Sequence, residues 1–121
     1  MATPNLVNVS TVTPFTIAGA VTTSATDVID VAADKVRKVN TIIISNVDGT
    51  SAADITVEVS VDNGSNYYHI AKTVSVPADA TLVVVDKNSQ VYLDETDLLR
   101  LTASANSDLE YVISGEILDD A

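Results

Sequence analysis

The stretch "ADITVEVSVDNGSNYYHIAKTVSVP" (Ala53–Pro77) alternates apolar and polar residues, turns at its middle, and alternates again. Every second residue of its first half is Ile or Val: Ile55, Val57, Val59 and Val61. Successive side chains of a strand point to opposite faces, so this period of two indicates a strand with one apolar face. Residues 62–64 read Asp-Asn-Gly, and these residue types tolerate the positive φ of a tight turn. The stretch therefore predicts two strands joined by a hairpin.

Short apolar runs separated by turn-forming residues continue on both sides of this stretch. The run from Val36 has apolar residues at both parities, with Val39, Thr41 and Ile43 expected on one face, which favours a central strand. Asp48-Gly49, which follows it, is a hairpin signal. The spacing of the turns is typical of a β-sandwich or barrel. We predict an all-β fold, a single antiparallel β-sandwich of jelly-roll or immunoglobulin-like type.

Length and composition restrict the classes of protein. The chain has 121 residues, which fits one domain. Six basic against seventeen acidic residues give a net charge of −11, and this argues against direct nucleic-acid binding, which needs Lys and Arg at phosphates. There is no cysteine, which removes disulfides and thiol chemistry. No secretory signal and no apolar run of about 18 residues is visible, so we expect a soluble protein of the cytoplasm without a membrane partner.

Reactive residue types are scarce. His69 is the only histidine, no Gly-x-Ser-x-Gly elbow occurs, and we interpret His69 as structural. Asp and Asn oxygens at 62–66 and at 94–97 could form a weak Ca²⁺ site near Asp62 or Asp94, although turns favour the same residues. We predict no catalytic residue, no cofactor and no enzymatic activity.

The N-terminus is short of charge and has a proline near each end. We predict an extended N-terminal arm over residues 1–13 and a β-sandwich domain over 14–121. This segment is an edge strand of its own domain, or it reaches onto a neighbouring subunit, since an arm can add a strand to a partner's sheet. The candidate partner interface consists of its apolar residues: Leu6, Val7, Val9, Val12 and Phe15.

Four stretches resemble a family of small virion structural proteins from tailed phages of marine cyanobacteria. They are "MATPNLVNVSTVTP" at the start, "VRKVNTIIISNVDGTSAADITVEV" at 36–59, "YYHIAKTVSVPADATLVVVDKNSQVYL" at 67–93 and "DLLRLTASANSDLEYVISGEIL" at 97–118. The resemblance covers most of the chain, and none of the four stretches is a catalytic signature. It implies a component of the virion, assembled in the host cytoplasm.

Two positions in a virion fit such a chain. The first is a decoration or cement protein that binds the major capsid protein on the outer head, and the second is a neck or tail component such as an adaptor, stopper or tube-associated ring protein. Either implies a homo-oligomer, a trimer or a ring. We favour decoration, because the chain lacks a long charged insertion. A carbohydrate-binding adhesive module is a further alternative.

Overall fold

The computed structural model describes residues 6–120, so positions 1–5 of the predicted arm and the last residue of the predicted domain lie outside it. A single 3-10 turn covers Leu6–Asn8. Within the described residues, no helix is long and apolar enough to span a membrane. Nine strands follow the turn: β1 (Val9–Val21), β2 (Thr26–Asp30), β3 (Lys35–Asn46), β4 (Ala53–Ser60), β5 (Tyr68–Val76), β6 (Thr81–Val85), β7 (Val91–Leu93), β8 (Leu98–Ala103) and β9 (Leu109–Asp120).

The strands form two sheets that enclose one apolar core. The larger sheet has the order β1-β9-β3, and β6 and β7 lie end to end along the far side of β3. The smaller sheet has the order β2-β8-β4-β5. Every pair is antiparallel, and the buried Ile, Leu and Val side chains of both sheets meet in one cluster. The predicted all-β antiparallel sandwich is confirmed.

The connections mostly pass from one sheet to the other. Among the described strands, β4 and β5 are the only consecutive pair that forms a hairpin, and the residues at its tip include Asn63 at φ 59° and Gly64 at φ 89°. The hairpin expected at Asp48-Gly49 is wrong, because this loop carries the chain from β3 in the larger sheet to β4 in the smaller one. Asp48 makes a local turn there by accepting hydrogen bonds from the backbone N and the hydroxyl of Thr50.

The buried side chain of Asn46 holds the connection between β3 and β4 in place. Its side chain is almost fully buried, and its Nδ2 donates to the carbonyl oxygens of Ser51 and Val76 at 2.9 Å each. Its Oδ1 accepts the backbone N–H of Asp48 at 2.9 Å. A buried amide costs free energy unless it is hydrogen-bonded, and here its bonds hold the end of β3 to the end of β5.

A bulge in β3 decides which of its residues enter the core. Val39 lies opposite Gly115 of β9 but Thr41 lies opposite Ser114, so Asn40 is an extra residue. The bulge shifts the alternation by one, and Val39 shares the inner side with Ile42 and Ile44. The expectation that Val39, Thr41 and Ile43 share a face is therefore wrong, although the central position of β3 is confirmed.

The predicted apolar face of β4 is only partly correct. Ile55 and Val57 are fully buried, but Val61 lies beyond the end of the strand and is 67% exposed, because the chain has already entered the turn. The opposite face is polar in sequence, but it is covered near the end of the strand, where Glu58 and Ser60 are buried.

The strand β1 crosses the predicted boundary between arm and domain. Residues 9–13 pair with β9 in the same register that continues to Val21, apart from a shift between Val9 and Thr11. The division at 13/14 therefore does not coincide with the end of a strand. Within one chain, residues 9–13 belong to an edge strand of the sandwich, which is the first of the two alternatives given for the N-terminal segment.

Replacing Gly115 with Ala should destabilise the fold by about 2–3 kcal/mol. A Cβ on residue 115 would overlap the carbonyl oxygen of Lys38 and lie 3.1 Å from the backbone N of Asn40, so the bulge would have to move. Urea unfolding of the variant measures the loss. Gly49→Ala is the control, since its Cβ would meet only Asp79 at 3.6 Å. Equal stability of the two variants would show that the bulge tolerates a side chain.

Candidate protein-interaction surface

The predicted interface residues divide into exposed and half-buried groups. Leu6, Val7 and Val12 are 45%, 97% and 52% exposed, which is unusual for large apolar side chains so close together in sequence. Val9 is half-buried at the start of β1. The exposed members lie in the 3-10 turn and the first half of β1.

Phe15 belongs to the core side of β1. It packs partly buried against the apolar cluster, and the guanidinium carbon of Arg37 lies 4.7 Å from its ring centroid. A cation over an aromatic face is attracted by the ring quadrupole. Phe15 thus anchors β1 to its own sandwich and is not part of the exposed apolar surface.

The basic residues at the start of β3 are engaged within the chain. Lys35 Nζ lies 2.7 Å from Asp119 Oδ2, and Lys38 Nζ lies 3.9 Å from Glu116 Oε1. Arg37 covers Phe15. These contacts give the three basic residues partners within their own chain.

Two of the four sheet edges are protected against pairing with another chain by charge, by shortness or by an irregular register. β2 has five residues, two of them Asp27 and Asp30, and its pairing shifts between Asp27 and Ile29. In β5, Lys72 and Thr73 are absent from the register with β4, and Thr73 has φ 47°. Charges and bulges are the devices by which sheet edges avoid pairing with other chains.

The far edge of the larger sheet is interrupted. β6 has five residues and β7 has three, and the turn between them contains Asp86 and Lys87. Short edge strands offer few consecutive backbone groups to an incoming strand. This edge is therefore also a poor template for pairing.

β1 has none of these protections over most of its length. It runs for 13 residues, "VSTVTPFTIAGAV", without a charged side chain, and its pairing with β9 is regular from Thr11 to Val21. Among the described strands it pairs only with β9. Pro14 is its one interruption, and proline is tolerated in a sheet where its nitrogen faces away from the neighbouring strand. A long, uncharged edge of this kind is a template for another strand.

An apolar row crosses the outer face of the larger sheet and ends at this edge. Ala18 lies opposite Val112, Val112 opposite Ile43, and Ile43 opposite Val83. Val112 and Val83 are 42% and 54% exposed. Hydroxyl groups flank the row on one side, with the Oγ1 of Thr41 2.7 Å from the Oγ of Ser114, and on the other side Glu110 lies between Ala20 and Ser45. The edge of β1 and this row form one uncharged corner of the molecule.

The outer face of the smaller sheet carries a different feature, a packed polar cluster. Arg100 donates from Nε to Glu58 Oε1 at 3.1 Å, and its guanidinium carbon lies 3.5 Å from the ring centroid of Tyr67. The hydroxyl of Tyr67 donates to Asp27 Oδ1 at 2.9 Å, and His69 Nε2 lies 3.5 Å from Glu58 Oε2. Burial first, and then the Asp27 carboxylate, raise the pKa of the Tyr67 hydroxyl above 10.0.

The cluster holds the β4–β5 loop down on the sheet. Ser60 Oγ accepts the backbone N–H of Gly64 at 2.8 Å and donates to Asp62 Oδ1 at 2.9 Å. Asp62 also accepts the backbone and side-chain N–H groups of Asn66, and these hydrogen bonds lower the pKa of its carboxyl below 3.8. The sequence pattern did not predict this cluster, since its members come from four strands, β2, β4, β5 and β8, and from the β4–β5 loop.

The two candidate Ca²⁺ positions are used for turns. Both Asp62 oxygens accept hydrogen bonds inside the loop. At 94–97, Asp97 Oδ2 accepts the backbone N–H of Asp94, and Glu95 Oε2 accepts that of Asp34. Burial raises the pKa of Asp97 above 3.8. Within residues 6–120, no group of three or more His, Asp or Glu residues is arranged to hold a metal ion.

Comparison with protein-family models and with curated proteins finds no match. The solved structures that are similar include the following two. Drosophila NLP-core, described for pentamer formation and histone binding, is 17% identical over 84% of this chain and 96% of that chain, with a TM-score of 0.48. A pentameric capsid protein from metagenomic phage sequences is 18% identical over 95% of this chain and 62% of that chain, with a TM-score of 0.40. Likenesses at these identities and scores do not extend to function.

Arg100→Met should destabilise the protein by about 2 kcal/mol or more. It leaves the Glu58 carboxylate, only 11% exposed, without its principal cation and removes the stack on Tyr67. Chemical denaturation measures the loss. The control is Lys35→Met, which breaks a pair whose side chains are 39% and 34% exposed and should cost less than about 1 kcal/mol. Equal losses would show that burial of the Glu58 pair adds nothing.

The β4–β5 loop should loosen as pH falls through the lowered pKa of Asp62. A carboxyl whose folded pKa lies below its unfolded value stabilises the fold above the unfolded value, and this contribution disappears on protonation. We expect the amide of Asn66 to exchange faster in Asp62→Asn than in the unchanged protein near pH 7, and the two to converge as the pH falls through the lowered pKa of Asp62. Hydrogen exchange followed by NMR tests this. A difference that is independent of pH would exclude the carboxylate as its cause.

Proposed function

We propose that this protein is a structural component of a phage virion, and that it acts as a decoration or cement protein that binds the major capsid protein on the outer head. It works by protein–protein contact, without catalysis and without a cofactor. In this proposal it forms a homo-oligomer, a trimer or a ring, and it is located in the virion.

The observation that carries the proposal is the uncharged corner at β1. In a chain with a net charge of −11, thirteen consecutive strand residues carry no charge, and Val12 among them and Leu6 and Val7 just before them are exposed. Exposed apolar surface next to an open strand edge supports a role in assembly with other protein chains. The resemblance of four sequence stretches to virion proteins of cyanobacterial phages supports the same role.

The compactness of the chain favours the head surface over the alternative, a neck or tail ring. The longest connection between described strands is residues 61–67, and it is bonded to its own sheet. No long charged insertion that would line a channel is found among residues 6–120.

A carbohydrate-binding adhesive module is less well supported. Such sites present aromatic side chains together, whereas the exposed Tyr68 and Tyr92 belong to strands of different sheets. A glycan-affinity screen would test this alternative.

The deciding experiment is a cryo-EM map of the intact virion in which side chains can be traced. Density for this chain at threefold or quasi-threefold positions on the head would support decoration. Density in a ring at the neck or along the tail would replace decoration by the alternative. Absence of the chain from purified particles would overturn the virion role.

Replacing Leu6 and Val7 together with Ser should weaken binding to particles at least tenfold, because about 2 kcal/mol or more of apolar contact would be lost. Co-sedimentation of the purified protein with particles that lack it gives the affinity. Val61→Ser is the control, since Val61 is equally apolar and 67% exposed but lies at the β4–β5 tip. Equal weakening by the control would move the contact away from the N-terminal segment.

A further inference from the structure

We propose that two copies of this chain pair through β1, in an antiparallel and two-fold symmetric contact centred on Ala18, so that the two larger sheets become one. The proposal concerns one two-fold contact between copies, which is separate from the trimer or ring of the proposed function, and it rests on that function only for the use of this contact in a virion. The contact itself follows from the edge, the outer face and the distribution of charge.

Pro14 fixes which backbone groups face outward. A proline has no N–H, so the ladder between β1 and β9 is complete only if position 14 turns its nitrogen away from Glu116, its partner in β9. Backbone groups alternate along a strand, and the pairing is regular from Thr11 to Val21. The N–H and C=O groups of Thr16, Ala18 and Ala20 therefore point outward.

These groups define the register of a second copy. In an antiparallel pair, residues that point toward each other exchange two N–H···O bonds. Centring on Ala18 places Ala18 of one copy opposite Ala18 of the other. Thr16 of each copy then lies opposite Ala20 of the other. Pro14 then lies at the end of the overlap, where its missing N–H costs least. Centring further toward the N-terminus would put Pro14 inside the ladder and lose bonds.

The side chains on the outer face suit this register. Ala18, Ala20, Val112 and Glu110 are among the residues around a shallow hollow of about 300 Å³, and Thr16 of the second copy stands beside it. On the inner side, the ring of Tyr111 already covers Gly19, since a Cβ there would lie 3.2 Å from it, so Ile17 of the second copy would meet this ring. The apolar row that ends at Ala18 becomes continuous with its symmetry mate, across both molecules.

The charges permit two copies to meet here although each carries −11. The nearest carboxylates on the outer face are Glu110, in the row of Ala20, and Glu116, in the row of Pro14. In the proposed register the row of Ala20 continues into Thr16 and Ser114 of the second copy. Glu110 of one copy therefore shares its row with hydroxyl residues of the other copy and not with a carboxylate. The other described edges carry Asp or Lys in the strand or in the turn beside it, and self-pairing there would bring like charges together. The second copy is thus the occupant that this edge fits.

Cross-linking tests the register, because the chain has no cysteine of its own. Opposed residues in a hydrogen-bonded pair have Cα atoms about 5.5 Å apart, within the range of a disulfide. Ala18→Cys should form a covalent dimer on mild oxidation. Ala20→Cys is the matched control, since its symmetry mate would be about 13 Å away. Cross-linking of Ala20→Cys as efficiently as Ala18→Cys, or of neither, would overturn the register.

Sedimentation of the unmodified protein tests the contact itself. We expect a dimer whose dissociation constant rises at least tenfold in Ala18→Lys, which places two cations opposite each other, while Ser75→Lys on the opposite edge strand β5 leaves it unchanged. Circular dichroism checks that both variants are folded. A monomer at all concentrations, or equal effects of the two variants, would overturn the proposal. Neither result depends on particles, so the virion role succeeds or fails separately in the cryo-EM map.

Discussion

The close contact between Gly115 and the backbone of Lys38 sets the arrangement of the larger sheet. It leaves room for the bulge at Asn40, and the bulge turns Val39, Ile42 and Ile44 to the same side. The core of the larger sheet depends on this shift, since β3 is its central strand. The same shift places Ile43 outward, between Val112 and Val83. One missing side chain in β9 therefore determines both what the sandwich buries and what its outer face presents.

The two sheets use opposite chemistry on their outer faces. On the outer face of the smaller sheet, the β4–β5 loop bonds to buried Ser60, and Arg100 pairs with the buried Glu58 carboxylate while it stacks on Tyr67. The larger sheet leaves an uncharged row without such a cover. A buried ion pair contributes little net stability but fixes geometry once formed. The molecule is thus closed on one face and available for contact on the other.

The sequence predicted the strands and the sandwich well because period two and turn residues are local signals. It failed where one extra residue or a change of sheet decided the outcome. Nothing local distinguishes the bulge at Asn40 from regular alternation, and Asp48-Gly49 suits a crossing loop as well as a hairpin. Among the interface residues, the exposure of Leu6, Val7 and Val12 followed from their charge-poor surroundings, whereas the burial of Phe15 depends on Arg37. The polar cluster joins residues far apart in sequence, so no pattern could indicate it.

The pairing of β1 with β9 also orders events during synthesis. β1 is the first strand to leave the ribosome, and its partner β9 is the last of the nine. Contacts between distant residues form slowly, because the loop between them must close first. Throughout that interval β1 lacks the strand that pairs with it in the folded chain, so this uncharged segment is open to contact with other chains until β9 has been made.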